Sequence, residues 1–189
     1  SWELTSRTDG VNTIVGGSFD GMLLSDWLAA NKSAVCKDWD GERFPLLIKL
    51  IDAEADLSIQ VHPDDEYAAL HTTDLGKTEM WYIVDADHGC QLIAGFKHHL
   101  DKKDYAKKIS DGSIEEDLGK VDVAPGDCIY IPAGRVHSIG AGMKIAEIQQ
   151  TSDVTYRLYD FMRKDANGNT RELHTELALD AIDFDDIVE

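Results

Sequence analysis

Twelve residues constrain this chain more than any others: Gly126 to His137, reading G-D-C-I-Y-I-P-A-G-R-V-H. Gly126-Asp127 reverses the chain, Cys128 to Ile131 alternate as a short strand, and Pro132-Ala133-Gly134 turns again just before His137. That punctuation holds one imidazole at a fixed place and angle. Taken alone it reads first as a hairpin carrying a surface histidine and only second as a ligand, so its meaning depends on partner ligands elsewhere in the chain.

Partners stand upstream in Leu57-Ser58-Ile59-Gln60-Val61-His62-Pro63. Period-two alternation puts Leu57, Ile59 and Val61 on one side of a strand, a core face, and Ser58, Gln60 and His62 on the other. Gln60 and His62, two apart on that polar face, can both reach one metal ion above it. Gly76 to Val84 (G-K-T-E-M-W-Y-I-V) is a further strand, with Lys77 and Glu79 on one side at its start. A carboxylate opening an apolar strand is ordinarily a solvated end. With His137, however, Gln60, His62 and Glu79 make a set of two imidazoles, one carboxylate and one amide oxygen. Such a mixture suits a borderline divalent ion such as zinc, with a position left for water or substrate.

The spacing G-x5-P-x-G-x2-H from Gly126 to His137 resembles the second motif of the cupin barrels. The first cupin motif usually reads H-x-H followed closely by a glutamate. Here Gln60 replaces the first histidine, and Glu79 is delayed by an insertion from Pro63 to Gly76. Those departures resemble the type I mannose-6-phosphate isomerases, in which Q-x-H-P, K-x-E and the cupin histidine form a zinc site. Ser1-Trp2-Glu3 is similar to that family's S-W-E segment, and Glu147 to Asp160 to its E-I-Q-Q-x-S-D-x-T-Y-R-x-Y-D stretch; Leu173-His174 matches a later L-H. The resemblance implies a mainly β, cupin-type jelly-roll barrel with short helical insertions. It also implies an aldose–ketose isomerase interconverting mannose 6-phosphate and fructose 6-phosphate through a cis-enediolate, with one zinc ion per chain. Residues 1–189 are expected to form one such domain, with helical insertions near 25–35, 63–75 and 101–118. The family's stretch before S-W-E and its further C-terminal β domain are expected to be absent.

Roles carry over position by position. Arg157 is the expected electrostatic residue, since the resemblance places it in the pocket and alternation puts Thr155, Arg157 and Tyr159 on one face. A surface ion pair with Asp153 or Asp160 is the competing reading. Lys77 and Glu147 are the candidate acid/base groups. Lys77 beside zinc can exchange a proton or stay charged and bind an oxygen of the substrate. Ser58 and Asp153 are candidate substrate contacts, and Arg135 is either a further phosphate contact or a rim charge. A non-catalytic sugar-binding cupin and an Fe(II) cupin oxygenase are the alternative classes. Gln60 in place of a histidine disfavours the second.

Composition narrows partners. A formal net charge of -18 argues against a nucleic acid or an anionic membrane surface as partner, whereas a small phosphosugar needs only a local cluster of cations such as Lys49, Lys77 and Arg157. The start lacks a basic, then apolar, leader pattern. Cys36, Cys90 and Cys128 share no metal-like spacing and read as reduced thiols of a cytoplasmic protein, Cys128 as a small packed residue. His71, His88, His98 and His99 lie outside any ligand spacing and are expected to be exposed, while Trp39 and Trp81 are expected in the core or pocket wall. Ser25 to Asn31 reads as a short helix capped by Ser25, Phe44 to Asp52 as a buried strand, and Thr155 to Met162 as the last strand.

Overall fold

Strand periodicity builds the molecule, and a computed structural model describes it for residues 1–35, 43–164 and 167–188. In chain order the strands are β1 (Trp2–Leu4), β2 (Leu46–Ala53), β3 (Ile59–Val61), β4 (Glu79–Ala86) and β5 (Gln91–Phe96). They continue as β6 (Leu118–Asp122), β7 (Cys128–Ile131), β8 (His137–Ser138), β9 (Met143–Gln150) and β10 (Tyr156–Tyr159). Helices are short: α1 (Leu24–Ala30), α2 (Lys32–Val35), α3 (Asp65–His71), α4 (Lys102–Asp111) and α5 (Thr175–Ala181). The strands pair into two antiparallel sheets, in the orders β1-β2-β9-β4-β7 and β10-β3-β8-β5-β6. Two such sheets closed over one interior form the cupin-type jelly roll expected from the sequence.

Alternation decides what enters the barrel. Along β4, Glu79, Trp81 and Ile83 are buried while Met80, Tyr82 and Val84 are exposed. Along β9, Met143, Ile145, Glu147 and Gln149 point inward. Pairing in register sets Glu79 beside Gln149 and Trp81 beside Glu147, and on the other side of β9 sets Lys49 beside Glu147. Each inward row is therefore polar at one end of the sheet and apolar at the other. The apolar end is a cluster of Ala53, Trp81, Ile83, Leu92, Ala94, Ile131, Ile139, Met143 and Ile145.

The second sheet is covered on its outer side too. There Ile59, Val61, Phe96 and Leu158 pack with Tyr105 of α4, Ala178 of α5 and Ile114. Burial on that side fixes the register of β3, because a slip by one residue would send Gln60 into the helix-covered core. α4 stops at Gly112, whose φ of 80° is left-handed, and Asp101 caps its start by accepting the Asp104 N–H. Gly134 also needs left-handed backbone (φ 88°). Its N–H donates to the carbonyl of His62 at 2.9 Å, tying the turn before His137 directly to the strand that carries His62.

Four local expectations differ from the structure. β2 begins at Leu46, not Phe44, and only Leu47 and Ala53 of it are buried, with Leu46 and Leu50 exposed. Ser25 lies inside α1, whose start is Leu23 with no side-chain cap. β10 ends at Tyr159, because Phe161 and Met162 adopt left-handed backbone (φ 53° and 54°) and turn the chain away. Cys128 is exposed, since on β7 it is Ile131 that occupies the inward, buried position. His71, His88, His98 and His99 are exposed. Cys36 and Trp39 lie outside the described residues. Among the described residues no helix is long and apolar enough to cross a membrane.

Candidate functional site

At the polar end of the barrel the two sheets bring His62, Glu79 and His137 together, all buried, with one potential ligand atom of each within 4.8 Å of the others. His62 follows β3, His137 opens β8 and Glu79 opens β4 from the opposite sheet. The His62 Nε2 lies 3.3 Å from Glu79 Oε1, and the His137 Nε2 lies 3.9 Å from Glu79 Oε2. Gln60 is paired in register with His137, and its Nε2 stands 3.3 Å from His137 Nε2. A half-turn of the Gln60 amide presents Oε1 to the same place.

The atoms around this cluster fit a cation. His137 Nδ1 is 2.8 Å from the Arg135 carbonyl and donates to it, so the Nε2 lone pair faces the cluster. Burial, aided by the charge of Lys77, pushes the His62 imidazole down to about 3 and keeps it neutral, as a ligand must be. Burial likewise pushes His137 down. For Glu79 burial acts upward, but the charge of Lys77 outweighs it and holds the carboxyl well below the usual carboxylate range. Lys77 Nζ is 2.8 Å from Glu79 Oε1, yet that buried oxygen takes no hydrogen bond of good geometry. It is thus ionised and has lone-pair capacity to spare, which is unusual for a buried carboxylate without a further partner.

Two residues that sequence reasoning did not assign to the site position it. Trp81, fully buried, donates its indole N–H to Glu79 Oε2 at 3.0 Å and packs edge-on to His137 with centroids 5.4 Å apart. The signal was available: Glu79 and Trp81 are two apart on one strand face. His174 accepts the Arg157 N–H on its Nδ1 at 3.1 Å, and its own N–H donates to the Arg157 carbonyl at 2.8 Å, clamping β10 at that residue. Nothing in local sequence pairs positions 157 and 174.

Beside the cluster a cavity of about 380 Å³ is lined by Lys49, Ile51, Leu57, Gln60, Lys77, Glu147, Asp153, Thr155, Arg157 and Arg171. Arg157 stands opposite Gln60 in register, its Nε donates to Ser58 Oγ at 3.3 Å and its Nη1 to the Glu172 carbonyl at 3.0 Å. Among the described residues it forms no ion pair, neither with Asp153 nor with Asp160. Ser58 is buried and Asp153 exposed, its backbone N–H donating to Asp74 at 3.1 Å. Lys49 Nζ and Glu147 Oε1 pair at 2.9 Å. Burial first, and the neighbouring Glu79 charge second, push the Glu147 carboxyl up. Two neighbouring buried carboxyls are thus driven in opposite directions, Glu79 down and Glu147 up. Arg135 is spent elsewhere: its guanidinium binds Asp186 through Nε and Nη2 at 2.8 and 2.7 Å, and it is not among the residues lining the cavity. A separate cavity of about 340 Å³ near His88, Cys90 and Glu115 gathers none of the acid/base or ligand candidates.

A jelly-roll barrel with a buried His/Glu/His cluster that could hold a metal ion at the polar end of its interior defines a cupin architecture. Residues 2–110 match the family described as phosphomannose isomerase type I, catalytic domain, and the chain belongs to that family. It is 42% identical over all 189 residues to the mannose-6-phosphate isomerase ManA of Bacillus subtilis (strain 168), covering 59% of that protein. Against the mannose-6-phosphate isomerase of Streptococcus mutans serotype c it is 41% identical, with 96% of this chain and 57% of that protein covered. The crystal structure of the B. subtilis mannose 6-phosphate isomerase superposes with a TM-score of 0.88 at 39% identity, covering 96% of this chain and 58% of that one. The chain therefore spans somewhat less than three-fifths of the length of these relatives.

Proposed function

We propose that this chain carries the active site of a zinc-dependent aldose–ketose isomerase that interconverts mannose 6-phosphate and fructose 6-phosphate. The observation that carries the reading is the buried cluster of His62, Glu79 and His137, with ligand atoms within 4.8 Å of one another, beside a cavity lined by Lys49, Lys77 and Arg157 in a chain of the type I phosphomannose isomerase family. Its relatives in B. subtilis and S. mutans bear the isomerase name.

His62, Glu79 and His137 would hold the ion, with the Gln60 amide oxygen as a fourth ligand; two imidazoles, one carboxylate and a neutral oxygen suit zinc with an open position. When bound, the ion supplies Lewis-acid stabilisation of the negative charge that develops on the sugar oxygen during proton transfer between C1 and C2. The chain's own residues do the rest. Arg157, fixed by Ser58, Glu172 and His174 and without a carboxylate partner among the described residues, offers donors that strengthen as that charge develops. Glu147, its carboxyl pushed up by burial, takes and returns the proton, and Lys49 beside it steadies the charged form. Lys77 stays at Glu79, where its ion pair keeps the ligand carboxylate charged. Asp153 lines the cavity where a sugar hydroxyl can donate to it.

A coupled assay for fructose 6-phosphate formed from mannose 6-phosphate tests the reading. Turnover that a chelator abolishes and added zinc restores is expected. Binding of the sugar phosphate without turnover in the zinc-loaded protein would assign the site to a sugar-binding module instead.

A further inference from the structure

His137 owes its aim to one carbonyl. Its Nδ1 donates to the Arg135 carbonyl at 2.8 Å, and that bond turns Nε2 toward Glu79 and Gln60. Whatever fixes the Arg135 peptide therefore fixes the ring. The peptides on either side are held by backbone partners: the Gly134 N–H reaches the His62 carbonyl at 2.9 Å, the Gly134 carbonyl takes the Asp183 N–H at 2.9 Å, and the Val136 carbonyl takes the Gly95 N–H at 2.7 Å. Arg135 differs, because its carbonyl is given to His137 and its own N–H reaches the Pro132 carbonyl only at 3.2 Å.

The side chain of Arg135 does the holding instead. Its Nη1 donates to the Tyr130 carbonyl of β7 at 3.0 Å, while Nε and Nη2 grip the two oxygens of Asp186 at 2.8 and 2.7 Å. A two-pronged guanidinium–carboxylate pair of this kind fixes orientation as well as distance. It is also largely closed to solvent, with the Arg135 and Asp186 side chains 22% and 13% exposed, which sets it apart from an ordinary surface ion pair.

Asp186 belongs to a strap, residues 183–188, that follows α5 and is itself anchored. Phe184 stacks on Phe96 with centroids 6.0 Å apart and meets Tyr105 edge-on at 5.4 Å, inside the helix-covered core. The Asp186 carbonyl accepts the Phe96 N–H at 2.9 Å, and the Val188 N–H donates to the Phe96 carbonyl at 2.9 Å. The strap crosses so near Gly95 that a Cβ there would lie 2.6 Å from the Asp186 carbonyl. None of its residues lines the cavity beside the cluster, so it braces the His137 turn from behind.

We propose that Asp186 is a positioning residue for the metal site: through Arg135 it sets the carbonyl that orients His137, so a strap outside the cavity tunes how tightly the ion is held. The proposal rests on the metal reading of the cluster and not on which sugar is turned over.

Asp186→Asn keeps the shape and removes the charge. Its control is Asp185→Asn on the same strap, whose carboxylate pairs with the exposed His99 instead. Chelator-stripped proteins, shown by melting curves to be folded, are titrated calorimetrically with Zn²⁺. Partners that orient a ligating histidine are worth about 10- to 100-fold in metal affinity, and Asp186 acts one contact further out, so about tenfold weaker binding is expected in Asp186→Asn and in Arg135→Gln, with Asp185→Asn unchanged. Arg135→Gln combined with Asp186→Asn should bind no more weakly than the weaker single variant, because the two side chains act as one device. Parent-like affinity in Asp186→Asn, an equal loss in Asp185→Asn, or additive losses in the double variant would each overturn the proposal and leave the isomerase reading standing. A parent protein that binds no zinc sinks the metal reading itself, and the His137 ring Nδ1 proton then decides by NMR: faster exchange with water in Asp186→Asn upholds the positioning role, and equal exchange ends it.

Discussion

The barrel interior has two ends that are equally buried and chemically opposite. At the closed end Ile83, Leu92, Ile131, Met143 and Ile145 meet with no polar atom to satisfy. At the open end Lys77, Glu79, His62, His137 and Glu147 are just as inaccessible, yet every one bears a charge or a lone pair. Burying apolar groups stabilises a fold by about 25 cal/mol per Å². Burying ion pairs roughly breaks even at best, since desolvation offsets their attraction. The same strands, β4 and β9, supply both ends, with Trp81 at the boundary packing into the closed end and donating to Glu79. The contrast shows a division of labour in which the dry end holds the strands in register so that the polar end can keep groups that do not stabilise it.

Substitutions at either end separate the two contributions. Glu79→Gln should have the largest effect, costing about 3–5 kcal/mol of stability because Lys77 is left buried without its partner, and removing turnover along with metal. Denaturant unfolding and metal analysis read the two losses. Glu147→Gln should leave the fold intact and lower kcat by about 10²–10⁴-fold. As the base it must be deprotonated, so parent activity should fall as pH drops through a pKa above the ordinary carboxylate range, and that limb should vanish in the variant. A pH–rate profile checks both points. Ile83→Ala at the dry end should do the reverse, costing about 2–5 kcal/mol of stability while the folded fraction keeps its metal and its kcat. Trp81→Phe should show the smallest effect, with packing largely kept and metal affinity falling about 10- to 100-fold once the donor to Glu79 is gone. Equal metal affinity in Trp81→Phe and the parent would erase the link drawn between the two ends.

What could be read from the sequence follows from how local each signal is. The turn–strand–turn before His137 and the alternation in β4 and β9 are period-two patterns, so the strands and their inward rows were legible. The convergence of β3, β4 and β8 was legible only through motif spacing, since nothing local shows that residues 62, 79 and 137 meet. Hydrogen bonds and ion pairs across long separations were out of reach: His174 on Arg157, Arg135 on Asp186, and Arg171 at the cavity edge. Cys128 was misread because a small thiol on an apolar strand suits either face, and the outer side of the first sheet is uncovered, with Tyr82 and Tyr130 exposed as well.

The central claim is that the polar end is built around one divalent ion. Chelator-stripped protein titrated calorimetrically with Zn²⁺ tests it most directly, with the parent compared against His137→Ala after melting curves confirm that both are folded. One ion per chain in the parent, with affinity lost in His137→Ala, is the predicted result. Equal zinc binding by the two proteins would contradict the account.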